Sequence, residues 1–273
     1  YDEINLNCGC PSKKVSMRCF GARLMLDPER VKRITYGMIR RTQIPVTVKC
    51  RLGADDKDSY PELCNFVKNV SESGVKHFIL HARKCLLDGL STAQNRSIPP
   101  LKYEWVYKLA EDFPHLEFSI NGHIQSLREV NEHLSRPHIH QPRRSSPLVP
   151  PRPALKGVMI GRSAFNSPWI FADADRAVYG AERNPLESKR ELVTGYLDYC
   201  EKVTEDLGEN HKLATLLVKP MLHFFNGCYN AKKYKLTIER ILNKQKVYRA
   251  RDALEEAIKL LPESALETKV MRL

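Results

Sequence analysis

Short apolar runs alternate along the first part of the chain with longer stretches whose apolar residues recur at helical spacing. The runs predict strands over Ile4–Asn7, Val46–Arg51, His77–His81, Phe118–Asn121 and Val158–Gly161. Between the first two, Glu29–Arg41 places Val31, Ile34 and Met38 on one helical face. Pro61–Ser73, with Leu63, Phe66, Val67 and Val70, separates the second and third. Tyr103–Asp112, with Trp105, Val106 and Leu109, precedes the fourth, and Leu127–Leu134 follows it. Strands separated by helices build a parallel sheet.

Each run ends in polar or glycine residues: Asn7-Cys8-Gly9-Cys10, Lys49-Cys50-Arg51, His81-Ala82-Arg83-Lys84, Asn121-Gly122 and Gly161-Arg162. A (β/α)8 barrel builds its site at such strand ends. The reading is therefore an α/β fold, a (β/α)8 TIM barrel, with a doubly wound sheet as the alternative. Five strands are visible, so the barrel's other three would lie before Tyr1.

From about Pro185 the pattern is helical only: Lys189–Leu207, His211–Phe225, Ala231–Leu242 and Ala250–Leu261. Pro220 is expected to bend or interrupt the second of these. The expected organisation is a partial barrel over 1–180 and an all-α domain over 185–273. Residues 135–156 break the pattern with prolines and arginines and no hydrophobic period. They read as disordered or as a surface insertion, and His138 and His140 within them as solvated side chains rather than metal ligands.

Charge adds a partner to this picture. The 273 residues carry a net charge of +12. Between His211 and Arg251 stand ten cations and one acid, Glu239, a net +9. Tyr229, Tyr234 and Tyr248 are interleaved with them. Cations and aromatic faces suit a phosphate backbone and stacked bases; a solvated helix face is the plain alternative. The mean hydropathy of −0.43 and the lack of a long apolar run argue against a membrane span. The eight cysteines form no CxxC pair, so reduced thiols in an intracellular compartment, cytoplasmic or organellar, fit better than a zinc site or a disulfide framework.

Several strand-end residues bear chemistry. Gly9 permits a tight turn and Pro11 stops further pairing around Cys10. A thiol titrating near 8.5 is mostly protonated at neutral pH and serves as an acid, whereas nearby cations favour a nucleophile. A buried structural cysteine is the bland alternative. Lys49 and His81 could meet an anionic ring such as a reduced flavin, or be a strand-end charge and a satisfied core histidine. Asn121-Gly122 and Gly161-Arg162, at consecutive strand ends, have the make-up of a barrel phosphate site, which implies a phosphorylated cofactor or substrate.

Taken in order, Ile4–Ser12, Phe20–Met25, Val46–Lys49, His81–Lys84, Asn95–Leu101 and Gly157–Arg162 resemble the tRNA-dihydrouridine synthase family. The stretch Gly89–Leu101 is similar to its DusA-type subgroup, which modifies uridines 20 and 20a of the tRNA D-loop. The resemblance covers the chain apart from the Pro/Arg-rich insertion, and marks it as N-terminally truncated. It implies an FMN-binding TIM barrel followed by a helical tRNA-binding domain. It further implies that NADPH reduces FMN and that flavin hydride reaches C6 of a target uridine while Cys10 protonates C5. Lys49 and His81 match flavin contacts. Asn121, Gly122, Gly161 and Arg162 match phosphate contacts. Asn7, Arg83 and Arg96 are assigned to substrate tRNA.

There are departures from the family pattern. His123, counted with the phosphate group, stands where the family has a second glycine, and Ala93 stands where the subgroup tends to have lysine. The strands before Tyr1 carry flavin contacts in the family, so this chain alone is expected to bind FMN weakly. A catalytically impaired tRNA-binding fragment remains an alternative. A flavin barrel acting on a small molecule is another, against which the +9 segment speaks.

Overall fold

The computed structural model describes residues 1–136, 155–243 and 248–270. Most of the Pro/Arg-rich stretch, with His138 and His140, lies outside them, as do Lys244 and Lys246. The described chain divides into two units, Tyr1–Ile124 with Glu129–Gly161, and Gln125–Arg128 with Arg162–Leu273. The segment 162–180, assigned from sequence to the barrel part, thus falls with the helical unit.

In the first unit five strands form one parallel sheet in the order β1-β2-β3-β4-β5: β1 Ile4–Cys8, β2 Val46–Cys50, β3 His77–His81, β4 Glu117–Asn121 and β5 Gly157–Met159. The α/β reading holds, and sequential parallel order is that of a barrel rather than of a doubly wound sheet, whose order reverses. β5 is shorter than its apolar run and sits earlier, so Gly161 lies beyond it. Arg51 likewise falls just outside β2.

The pleat sorts side chains by face. Leu6 and Cys8, Val46, Val48 and Cys50, Phe78 and Leu80, Phe118 and Ile120 share one face. Apart from half-buried Leu6, these are buried. Phe78 and Phe118, partners in register, stack with ring centroids 6.0 Å apart. The opposite face carries Asn5, Asn7, Thr47, Lys49, His77, His81, Ser119 and Asn121. Asn5 donates to Thr47 at 2.7 Å and His77 bonds Ser119 at 2.8 Å. A polar row on one face of a parallel sheet, opposite a helix-covered apolar face, is the signature of an inward-facing site.

The helices begin where their caps allow. In α1 (Pro28–Ile39) the Asp27 carboxylate accepts from the Arg30 amide and proline opens the helix. Ser59 and Glu62 form a reciprocal capping box on α2 (Tyr60–Ser71). Its buried residues, Leu63, Phe66, Val67 and Val70, are those its sequence period selects. In α3 (Tyr103–Asp112) Val106 and Leu109 are buried, whereas Trp105 is half-exposed and edge-on to Tyr60. α4 spans Leu127–Leu134.

His133 of α4 is buried against the Tyr107 hydroxyl. Burial, with Arg136 adding to it, holds this imidazole below its ordinary value. As pH falls through about 6.5 the unfolded chain binds the proton first, so stability declines down to the folded value. Thermal melts should therefore lose midpoint between pH 7.5 and 5.5, and His133→Gln should lose less over that window.

The second unit is helical: α5 Lys189–Leu207, α6 His211–Val218, α7 Ala231–Asn243 and α8 Ala250–Ile258. Its core gathers Phe225, Tyr234, Ile238, Ala253 and Leu254. The helix expected over His211–Phe225 ends at Val218 and tightens into a 3-10 turn at Lys219–Met221, because Pro220 cannot donate to the helical ladder. The Lys189 ammonium lies 5.5 to 5.9 Å from the ring centroids of Trp169, Phe224 and Phe225. Burial depresses its pKa, and the ring faces offset part of that desolvation. Among the described residues, no helix is long and apolar enough to cross a membrane.

Candidate active site

The turn after β1 is held by its own asparagine. The Asn7 side-chain oxygen accepts from the Gly9 amide at 2.9 Å and the Cys10 amide at 3.1 Å. Opposite, the Ala22 amide donates to the Cys10 carbonyl at 2.9 Å. Gly21, at φ +64, passes so close that a Cβ there would stand 2.5 Å from the Cys10 oxygen. Glycine is required at that crossing. Cys10 is left half-buried, whereas Cys8 lies wholly under the sheet. Burial drives the Cys8 thiol far up and the Cys50 thiol to about 12. Of the two thiols in the opening motif, only Cys10 is placed to meet a ligand.

Asn7 and Lys49 are register partners in β1 and β2. Lys49 is half-buried, and desolvation lowers its pKa. Its ammonium donates to the Asn121 side-chain oxygen at 3.1 Å, reaching from β2 over β3 to β4. Neighbouring strands stand about 4.8 Å apart, so this bond spans two strand spacings. The Asn121 amide donates onward to the Met159 carbonyl at 2.8 Å. His81 is the register partner of Asn121. Asn7, Lys49, His81 and Asn121 thus share one face of the sheet in two neighbouring register rows: Asn7 and Lys49 align with Ile79 and Ser119, and His81 and Asn121 lie two residues further along their strands.

Gly122 sits at φ +128, where a Cβ would press on Leu101 at 3.1 Å, and its carbonyl accepts from the Tyr103 hydroxyl. The next residue, His123, is exposed and also left-handed, at φ +57. A side chain in that region costs about 1 kcal/mol relative to glycine. His123→Gly is therefore expected to raise stability by roughly 0.5–1 kcal/mol in denaturant titrations. Gly161 is exposed with open space around it, and Arg162 is the exposed first residue of a short helix in the second unit.

The substrate-assigned arginines differ. Arg83 is buried and donates to the Pro99 carbonyl, so it braces the loop after β3. Arg96 is exposed, at the end of the 3-10 turn Gln94–Arg96. Its neighbour Asn95 is fully buried, with its side chain bonded to both the amide and the carbonyl of Leu86 at 2.8 Å. Arg51 went unassigned in the sequence, although it stands two residues after Lys49. It is only 3 % exposed, and its guanidinium bonds the turn after β1 and two points of the connection between β3 and α3.

The basic segment is narrower than its +9 suggests. Arg249 pairs with Glu201 and Glu209, and Arg251 with Asp198 and Glu255. Lys235 donates to Asn226. Tyr234 is not a stacking platform: it is fully buried, and its hydroxyl donates to the Met221 carbonyl. Helical periodicity placed it on the face with Ile238 and Ile241. Lys212, Lys219, Lys232, Lys233, Arg240 and Tyr229 remain exposed.

A parallel sheet with an apolar outer face and a polar row of strand ends defines a TIM-barrel class α/β protein, here followed by a helical unit. The dihydrouridine synthase (Dus) family model matches residues 1–140 and 152–261, and the chain belongs to that family. It is 40% identical over 238 residues to the tRNA-dihydrouridine(20/20a) synthase of Synechocystis, a match covering 87% of this chain and 64% of that protein. It is 38% identical over 264 residues to the protein of the same name in Vibrio vulnificus, covering 96% and 73%. To that of Salmonella typhi it is 40% identical over 262 residues, covering 96% and 71%. The chain thus spans about two thirds of these relatives' lengths.

Proposed function

We propose that this chain carries out the reduction of D-loop uridines of tRNA, at positions 20 and 20a, to 5,6-dihydrouridine. Family membership and the relatives' names support the reaction class. The observation that carries it is the half-buried Lys49 ammonium, bonded to the Asn121 side-chain oxygen on the sheet face that also carries Asn7. An ammonium neutralised by no carboxylate in that bond fits an electron-rich, anionic ring, as FMN offers. Lys49 and His81 would hold the ring, and Asn121, Gly122, His123 and Gly161 its phosphate end. FMN held there would supply the hydride for uracil C6, with NADPH as the source of its electrons.

The chain's own residues supply the rest. Cys10 delivers its Sγ proton to uracil C5. The oxygen of Asn7 is committed to the turn, so its Nδ2 is the group left for the base. Arg96 meets the substrate's phosphates, while Arg83 supports the loop beneath it. The exposed cations of the second unit neutralise further tRNA phosphates, which offsets the few kcal/mol needed to unstack a base.

An unmodified tRNA transcript should accelerate NADPH oxidation by the protein, and a fully modified tRNA should not. NADPH oxidation indifferent to tRNA would overturn the assignment.

A further inference from the structure

We propose that Arg51 is a positioning residue that clamps the turn carrying Cys10 to the loop carrying Arg96. Its Nε donates to the Gly9 carbonyl at 3.0 Å. One terminal nitrogen donates to the Lys84 carbonyl at 3.0 Å and to the Asn95 carbonyl at 2.8 Å. Gly9 immediately precedes Cys10, and Asn95 immediately precedes Arg96. One guanidinium therefore holds the residue before the proposed acid and the residue before the proposed phosphate contact. Cys10, Arg83 and Arg96 all lie near enough to act on it electrostatically.

A buried cation is costly unless its donors are satisfied. Here three backbone carbonyls accept from its Nε and one terminal nitrogen, and the planar fork sets their relative positions. Lysine would keep the charge, but its single nitrogen cannot reproduce a fork whose donors point in fixed directions. The loop is closed at its far side by Asn95, whose side chain grips both polar groups of the Leu86 backbone. Loosening either Arg51 or Asn95 therefore frees the same coupling.

The proposal rests on Cys10 being the acid, yet its first test does not need activity. Iodoacetamide labelling of Cys10 is followed by peptide mass spectrometry, with half-buried Cys228 in the other unit as internal reference. Arg51→Lys should raise the Cys10 rate by about fivefold or more and leave Cys228 unchanged. Asn95→Ala should do the same, and the double variant should exceed the larger single effect by little, because both act on one link. A Cys10 rate at the wild-type value in a folded Arg51→Lys protein overturns the clamp. If that variant does not fold, Asn95→Ala decides, with the same two outcomes.

Arg51→Lys should lower kcat at least tenfold, with any rise in the tRNA KM smaller than that fall. A rise in KM with kcat intact would contradict positioning of the acid. Absence of dihydrouridine formation in the wild type would refute the activity and leave the labelling result standing.

Discussion

Cys10→Ala is expected to lower dihydrouridine formation by about 10²–10⁴-fold, the range lost when a positioned general acid is removed. Reduction of the uracil 5,6 bond needs a proton at C5 once hydride has reached C6, and a positioned acid supplies it faster than water does. No nearby thiol replaces Cys10. Cys8 is wholly buried on the apolar face, and burial holds Cys85 at about 11. The fold should survive, because Cys10 is only half-buried and its turn is fixed by Asn7, Gly21 and Arg51 through backbone groups. Cofactor retention and the melting midpoint should stay near wild type while tRNA reduction collapses. A variant that kept a tenth of the activity would remove Cys10 from the chemistry.

The second large effect is on tRNA affinity. Five exposed cations of the helical unit, Lys212, Lys219, Lys232, Lys233 and Arg240, are available for phosphates. Each neutralised phosphate releases counterions, so affinity falls steeply with salt. With about five contacts, affinity should drop on the order of 10²-fold between 50 and 200 mM salt. Replacing Lys232 and Lys233 together by glutamate should weaken binding strongly at low salt and flatten the logarithmic salt slope by about two. Arg251→Gln should leave that slope unchanged, since its guanidinium is engaged by Asp198 and Glu255. A wild-type slope in the double variant would place the tRNA contact elsewhere.

What the sequence made legible was set by local rules. The capping box at Ser59 and Glu62 and the apolar period of Pro61–Ser73 marked α2 because both signals live within a few residues. The polar strand ends marked the site row because alternation places Asn7, Lys49, His81 and Asn121 on one face. Long-range chemistry left less trace. Nothing local distinguishes Arg51, which bonds carbonyls 33 to 44 residues away, from an exposed strand-end arginine. Tyr234 looked like part of a cationic surface because lysines flank it, although its spacing to Ile238 and Ile241 already marked the helix face that the bundle buries. The charge count overstated the basic surface, since the acids paired with Arg249 and Arg251 lie on α5 or just beyond it, apart from Glu255.

The account stands on a half-buried thiol giving its proton to a uracil beside the Lys49 row. Its most direct test is nucleotide-resolved mass spectrometry of an unmodified tRNA transcript after incubation with the enzyme, FMN and NADPH. The account predicts a gain of two hydrogens at uridines 20 and 20a with wild type and none with Cys10→Ala. An equal gain with the alanine variant, or NADPH consumed while the D-loop stays unchanged, would contradict it.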